Sequence, residues 1–453
     1  MPASATNTLR VAVLADSDTR WKWGALTAHR LAPEASEVRL DGFLLRGRAT
    51  PTARQLREVG VRSDSLREVT GLEFLRAMKE AAYDIVLLSL VGGGVQAMLH
   101  GLRRAWDGRT KRPVVVTGYV GVVYEKLADG LLLRHGADLV LANSRQDADR
   151  FRAVYEGVGA DASSVTEVAL PFLGGRPYTG ADDPAAERRP YTVVFAVQPS
   201  VPDNRRDRTY LLNRLIGHAR LHPDREVLLK LRSKPGEHTT HIEELPYQKL
   251  AEKLPGGLPA NFRLAYGNMG EVLDTTDLLV TVSSTAALES LHRRIPTVVL
   301  TDLGIRETLG NHHFVGSGCL ASWDQLDAGY EPAPDPRWVA RQGVMAGGTS
   351  GTNSGAGSYA TAFDAARARV AKLVAGPELP PLAPYYTPVT APGYLPGILA
   401  RHHLGPDGAP LPGAPAADRQ AGPVRQIVRR AARGAYRHGV QRVAPVIRRM
   451  GEL

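Results

Sequence analysis

Residues 278–300 read LLVTVSSTAALESLHRRIPTVVL. Leu278 to Val282 and Thr297 to Leu300 are short apolar runs rich in β-branched residues, the pattern of strands buried on both faces in a parallel sheet. Between them Ser283, Ser284 and Thr285 introduce a helix over Thr285 to Arg294, which ends just before Pro296. Strand, turn, helix and strand in this order make a right-handed crossover unit, so the segment implies an α/β fold.

The same alternation extends outward in both directions. Upstream, strands are expected at Tyr191 to Ala196, Glu226 to Leu231 and Phe262 to Ala265, with helices near Thr209 to Arg220 and Ile242 to Leu254. Earlier still, strands are expected at Leu9 to Ala15, Val38 to Leu45, Asp84 to Leu90, Pro113 to Thr117 and Ala137 to Ala142. Helices are expected at Gly71 to Ala82, Gly94 to Trp106 and Ser144 to Tyr155, the last with Ser144 as its cap. The expected architecture is two Rossmann-like doubly wound domains facing a central cleft: residues 1–175 and 191–376, joined by a Pro/Gly-rich linker at 176–190. A helix over Ala360 to Val374 closes the second domain. A Pro/Gly-rich irregular segment (377–422) and a basic amphipathic helix (423–453) follow.

The 453 residues carry a net charge of +10, most of it in the tail from Val424 onward. The remaining body is close to neutral, which argues against a specific nucleic-acid partner. Cys319 is the only cysteine, so no intrachain disulfide is possible and an oxidising compartment is not indicated. The start shows no signal-peptide pattern and the chain no membrane-spanning run, which favours a cytoplasmic setting.

Parallel sheets bind ligands beyond the carboxyl ends of their strands, and the candidate chemistry lies there. Ser283, Ser284 and Thr285 bring hydroxyls and helix-opening N–H groups together, a place for a phosphate, although a serine or threonine there can simply cap its helix. Their segment resembles the nucleotide-binding segment of GT-B glycosyltransferases, a hydroxylic turn before a helix of the form A-x-x-E-x-x-x-x-x-x-P. The resemblance implies that Ser283, Ser284 and Thr285 hold a donor's phosphates and that Glu289 meets its ribose or base. Glu289 is also placed to pair with Arg293 along the helix. The whole chain is further similar to an actinobacterial family described as glycosyltransferases, and distantly to capsule and teichoic-acid-type transferases.

Lys230 and Arg232, where EVLLKLRSK leaves its strand, are suited to neutralise a diphosphate. The His-Pro pair that capsule-type sialyltransferases carry near this point is absent, which speaks against a cytidine donor. Gln198 and Ser200, after the strand that opens the second domain, complete the donor side. On the acceptor side, ADSDTRWKWG follows the first strand. Asp18 is the first choice and Asp16 the second for a base that takes the acceptor's hydroxyl proton. Arg20 and Trp23 would grip an anionic acceptor or a sugar face, although a tryptophan there can equally be core. Gly92, Gly93 and Tyr119 stand at two further strand ends.

His238 and His241 near Glu243 and Glu244, and the adjacent His312 and His313, lack any zinc-site spacing, so neither metal nor cofactor is expected. Arg425, Arg429, Arg433 and Arg437 repeat every fourth residue, a pattern suited to an anionic membrane face. Docking on the protein's own body is the alternative. The expected activity is sugar transfer from a nucleotide sugar to a cell-envelope glycan, lipid-linked or otherwise anionic acceptor at the inner membrane face. A nucleotide-sugar epimerase and a non-catalytic binder of anionic polymers are the rivals.

Overall fold

The computed structural model describes residues 8–414, except 33–36, 122–125, 181–188, 235–236, 238–242, 244 and 345–358. Among the described residues thirteen strands build two sheets, both parallel throughout. In the first unit these are β1 (Thr8–Ala15), β2 (Glu37–Leu45), β3 (Ser65–Val69), β4 (Ile85–Ser89), β5 (Val114–Gly118), β6 (Leu139–Ala142) and β7 (Val165–Glu167). Their order is β3-β2-β1-β4-β5-β6-β7. In the second unit β8 (Thr192–Ala196), β9 (Glu226–Lys230), β10 (Phe262–Ala265), β11 (Leu278–Thr281), β12 (Thr297–Leu300) and β13 (Leu320–Ala321) are ordered β10-β9-β8-β11-β12-β13. Strand order reverses beside β1 in one unit and beside β8 in the other, the signature of doubly wound Rossmann-like sheets.

The continuous apolar runs follow from burial on both faces. Along β1, Ala12 and Leu14 enter one core while Val11, Val13 and Ala15 enter the core on the opposite face. In the second unit Val193, Phe195, Val227, Leu229, Val280 and Val298 pack against Leu211, Leu215 and Trp323. Local sequence starts the helices: Thr70 and Glu73 form a reciprocal capping box for Gly71–Glu80, and the Ser144 hydroxyl accepts the Asp147 N–H.

Three expectations change. Strands β3, β7 and β13 have no counterpart among the expected strands; the SLREV of β3 has four exposed residues at the sheet edge and therefore no apolar pattern. The helix near Ile242 to Leu254 is confined to Tyr247–Ala251 among the described residues.

The third change concerns domain boundaries. The first unit runs to Phe172 and regains Arg341–Gly343 and residues 359–414; the second spans Leu173–Ala340 and takes in Val344. The helix Asp364–Ala375 therefore belongs to the first unit, with Phe363, Ala366 and Val370 buried against Trp21, Ala28 and Leu31. The Pro/Gly-rich segment that follows is irregular but anchored. Leu382, Ala391, Leu395, Leu399 and Leu404 complete the core of that same unit, and Leu395–Ala400 is helical. The basic tail beyond residue 414, with the Arg425, Arg429, Arg433 and Arg437 repeat, lies outside the described residues.

Candidate functional site

At the carboxyl edge of the first sheet, β1 and β4 end together, with Ala15 opposite Ser89. Asp16 joins the two ends: one carboxylate oxygen accepts from Arg20 Nη1 at 2.9 Å and the other from the Val91 N–H at 2.9 Å. Ser17 caps the helix Asp18–Leu31, so Asp18 occupies its first turn, where negative charge suits the helix dipole. Asp18 Oδ1 accepts from the Thr19 N–H at 2.7 Å, and the residue is half-buried. Asp16 thus acts first as a strut, and Arg20 is its partner.

Trp23, Gly92, Gly93 and Tyr119 all have neighbours within the chain itself. Trp23 is 1% exposed and its indole N–H reaches Asn143 Oδ1 at 3.3 Å, so its ring presents no face to a ligand. Gly118 lets that ring in: a Cβ there would stand 2.8 Å from Trp23 Cζ2. Gly92 is small because the chain's own Leu133 lies against it, at 2.8 Å from a Cβ built there, and Ile398 is the neighbour of Gly93. Tyr119 is covered by the Arg134 guanidinium, 3.9 Å from its ring centroid. Arg134 in turn donates to the carbonyls of Gly118, Gly130 and Leu90.

The returning segment adds a residue that sequence reading passed over. His402 lies close enough to Asp16 for the carboxylate to draw its pKa upward, yet burial dominates and holds it below the ordinary 6.5. Its imidazole, near Gly71 as well, is therefore neutral at neutral pH. No local pattern in HHLGPDG marks it; only the docking of Leu395–Ala400 places it there.

In the second unit the corresponding edge lies where β8 and β11 diverge. Thr281 Oγ1 donates to the Ala196 carbonyl and accepts the Ser284 N–H, locking the two strand ends together. Gln198, just after β8, spans the gap. Its Oε1 accepts the Ser283 N–H at 3.0 Å and its Nε2 donates to Ser283 Oγ at 3.0 Å. The Ser283 hydroxyl donates to the Leu309 carbonyl, and the residue is 2% exposed. Ser283 is therefore a structural peg. Ser284 and Thr285 remain half-exposed. Ser284 Oγ accepts the Ala286 N–H at 3.2 Å, while Thr285 makes no side-chain cap for the helix Ala286–His292.

The neighbouring strand end is basic but folded inward. Lys230 is 8% exposed and its ammonium donates to the Leu231 carbonyl at 2.9 Å; Arg232 is half-buried. Ser200 is half-exposed in the turn after β8. Buried Arg208, another residue missed in the sequence, holds that turn through the carbonyls of Pro199 and Pro202 and pairs with Glu243 at 2.6 Å. Glu289 is buried, and Arg293 pairs with Asp274 at 2.5 Å. His238, His241 and Glu244 lie outside the described residues.

Residues 11–353 match the model of a family described as "Putative glycosyltransferase (DUF6716)". Among solved structures the chain is similar to UDP-GlcNAc 2-epimerase of Methanocaldococcus jannaschii in complex with UDP-GlcNAc and UDP, at 10% identity and a TM-score of 0.46, covering 82% of this chain and all of that one. It is also similar to a mutant O-GlcNAc transferase of Thermobaculum terrenum, at 12% identity and a TM-score of 0.36, covering 97% of this chain and 70% of that one. No curated protein matches the chain.

Proposed function

This chain belongs to the family described as putative glycosyltransferases, and from that premise we propose that it moves a sugar from a nucleotide sugar to a hydroxyl of a cell-envelope glycan or lipid-linked acceptor. The observation that carries the donor assignment is the strand-to-helix turn at the β8/β11 divergence. Ser284 and Thr285 offer half-exposed hydroxyls there, on a backbone pegged from behind by Ser283, Gln198 and Leu309. A donor's diphosphate would lie against those hydroxyls, with Lys230 and Arg232 supplying positive charge and Glu289 the ribose contact. Charge on the departing diphosphate is assigned to these groups, and the transfer is proposed to need no catalytic metal.

In the transfer, the acceptor oxygen bonds to the anomeric carbon, the bond from that carbon to the diphosphate breaks, and the acceptor proton goes to a base. Asp18 is the proposed base, with Asp16 and Arg20 shaping the edge. His402 is a second candidate, because it is neutral and stands near Asp16. The Arg425 to Arg437 stripe is proposed to bring the enzyme to an anionic membrane face; among the described residues no helix is long and apolar enough to cross a membrane.

The test is release of nucleotide diphosphate from a panel of nucleotide sugars, with and without envelope glycan or lipid fractions. Release that depends on the acceptor and persists in chelator is the expected result. Isomerised nucleotide sugar in the absence of any acceptor would establish the epimerase instead, and unaltered donors under all conditions would leave a binding protein.

A further inference from the structure

The helix Arg205–Leu221 follows β8 and runs back across the sheet, so its last turn lies at the edge opposite the turn at Ser284. His218 in that last turn and His222, its C-cap, are four residues apart and share one face. Their ring centroids are 4.6 Å apart. Asp327, the last residue of the helix Trp323–Asp327, brings a carboxylate oxygen to 2.7 Å from His218 Nδ1. One ring nitrogen from each histidine and one oxygen of Asp327 lie within 4.8 Å of one another.

Three further observations point to a ligand. His222 Nε2 is shielded from solvent without a hydrogen-bond partner, a state that buried polar atoms rarely tolerate. His218 is fully buried and packs at 5.7 Å on the Trp323 ring, which gives the cluster an apolar floor. Arg214 holds the other Asp327 oxygen at 3.1 Å, in the manner of the outer partners that orient metal-binding carboxylates.

We infer that His218, His222 and Asp327 form a transition-metal site of the zinc type, with two imidazoles, one carboxylate and a fourth position for water. Tetrahedral zinc with bonds of about 2.0–2.1 Å spaces its ligand atoms roughly 3.3 Å apart, so side-chain rotation closes the widest pair by up to about 1.5 Å and opens the His218–Asp327 pair from 2.7 Å. Arg225 stands 3.3 Å from His218 Nε2. With a metal on Nδ1 the ring proton resides on Nε2, and Arg225 turns aside onto the Tyr191 ring that it already covers at 5.0 Å. Because the site lies away from the carboxyl edge of the sheet, its role is to fasten the end of one helix to another, and it does not depend on the proposed transfer.

The test uses the full chain stripped with chelator at neutral pH and titrated calorimetrically with ZnCl2, and with CoCl2 followed by its visible absorption. Wild type is expected to take up zinc at this site and to show a tetrahedral cobalt spectrum. His222→Ala and Asp327→Asn are each expected to weaken zinc uptake by more than about tenfold and to lose that spectrum. His222 is only half-buried, so the first variant retains its packing, and matching metal-free melts verify this. Absence of uptake by wild type, or equal uptake and spectra in both variants, overturns the site.

Discussion

Ser283, Ser284 and Thr285 are adjacent, yet the structure gives them different work, and alanine at each should separate stability from binding. Ser283→Ala removes a 2% exposed hydroxyl and leaves Gln198 Nε2 and the Leu309 carbonyl each short of a partner. Orphaning buried polar groups costs about 1–3 kcal/mol. Taking about 2 kcal/mol and the usual sensitivity of a domain of this size, the melting transition of the second unit should fall by roughly 4–8 °C. Ser284→Ala loses only the contact to the Ala286 N–H, worth about 0.5–1 kcal/mol. Thr285→Ala should be nearly silent in the ligand-free melt, within about 0.5 kcal/mol, since its side chain makes no cap. Binding should rank differently. A hydrogen bond to a charged phosphate is worth about 1.5–3 kcal/mol, so the Ser284 and Thr285 variants should each weaken calorimetric affinity for a nucleoside diphosphate by roughly 10- to 100-fold. Ser283→Ala should retain more of that affinity than either. An unchanged melt for Ser283→Ala together with abolished binding would refute the division of labour.

Other perturbations test the first unit and the pH response. Asp16→Asn keeps the side chain's shape but removes the charge from the Arg20 and Val91 contacts, and should shift the urea midpoint by the equivalent of about 1–3 kcal/mol; full stability with activity lost would make Asp16 the base. Gly118→Ala places a methyl 2.8 Å from Trp23 and 2.9 Å from the Leu141 carbonyl, and should destabilise by about 1–3 kcal/mol in the same assay, whereas an unmoved midpoint would mean that the wedge yields. Burial lowers the pKa of His100, His135 and His402 from 6.5. Above that value folded and unfolded forms are alike neutral; below it the unfolded chain binds protons that the folded one refuses, so these groups reduce stability as pH falls. Melts from pH 7.5 to 5.5 should therefore decline, and replacing His402 with Gln should flatten the slope; an identical slope would show that His402 is not held neutral.

The central strands were legible because an apolar run buried on both faces is a local signal: β1, β2, β4, β8 and β11 follow from their own residues. Strand β3 was not, since an exposed edge strand is held by its neighbour's backbone and its side chains carry no pattern. The return of Asp364–Ala375 and Leu395–Ala400 to the first unit was equally silent, because what decides it is the surface that this unit offers. At the candidate site the hydroxylic turn was visible, but the burial of Ser283 depends on Gln198 and Leu309, distant in sequence. Trp23 shows the same limit in reverse: its neighbours in sequence are carboxylates and an arginine, while its neighbours in space are Gly118 and Asn143.

The most direct measurement is a crystal structure of the chain with a nucleoside diphosphate. Its phosphates should lie within hydrogen-bond distance of the Ser284 and Thr285 hydroxyls, with Ser283 still held by Gln198. A diphosphate bound elsewhere, with that turn untouched, would contradict the donor assignment and the transferase reading built on it.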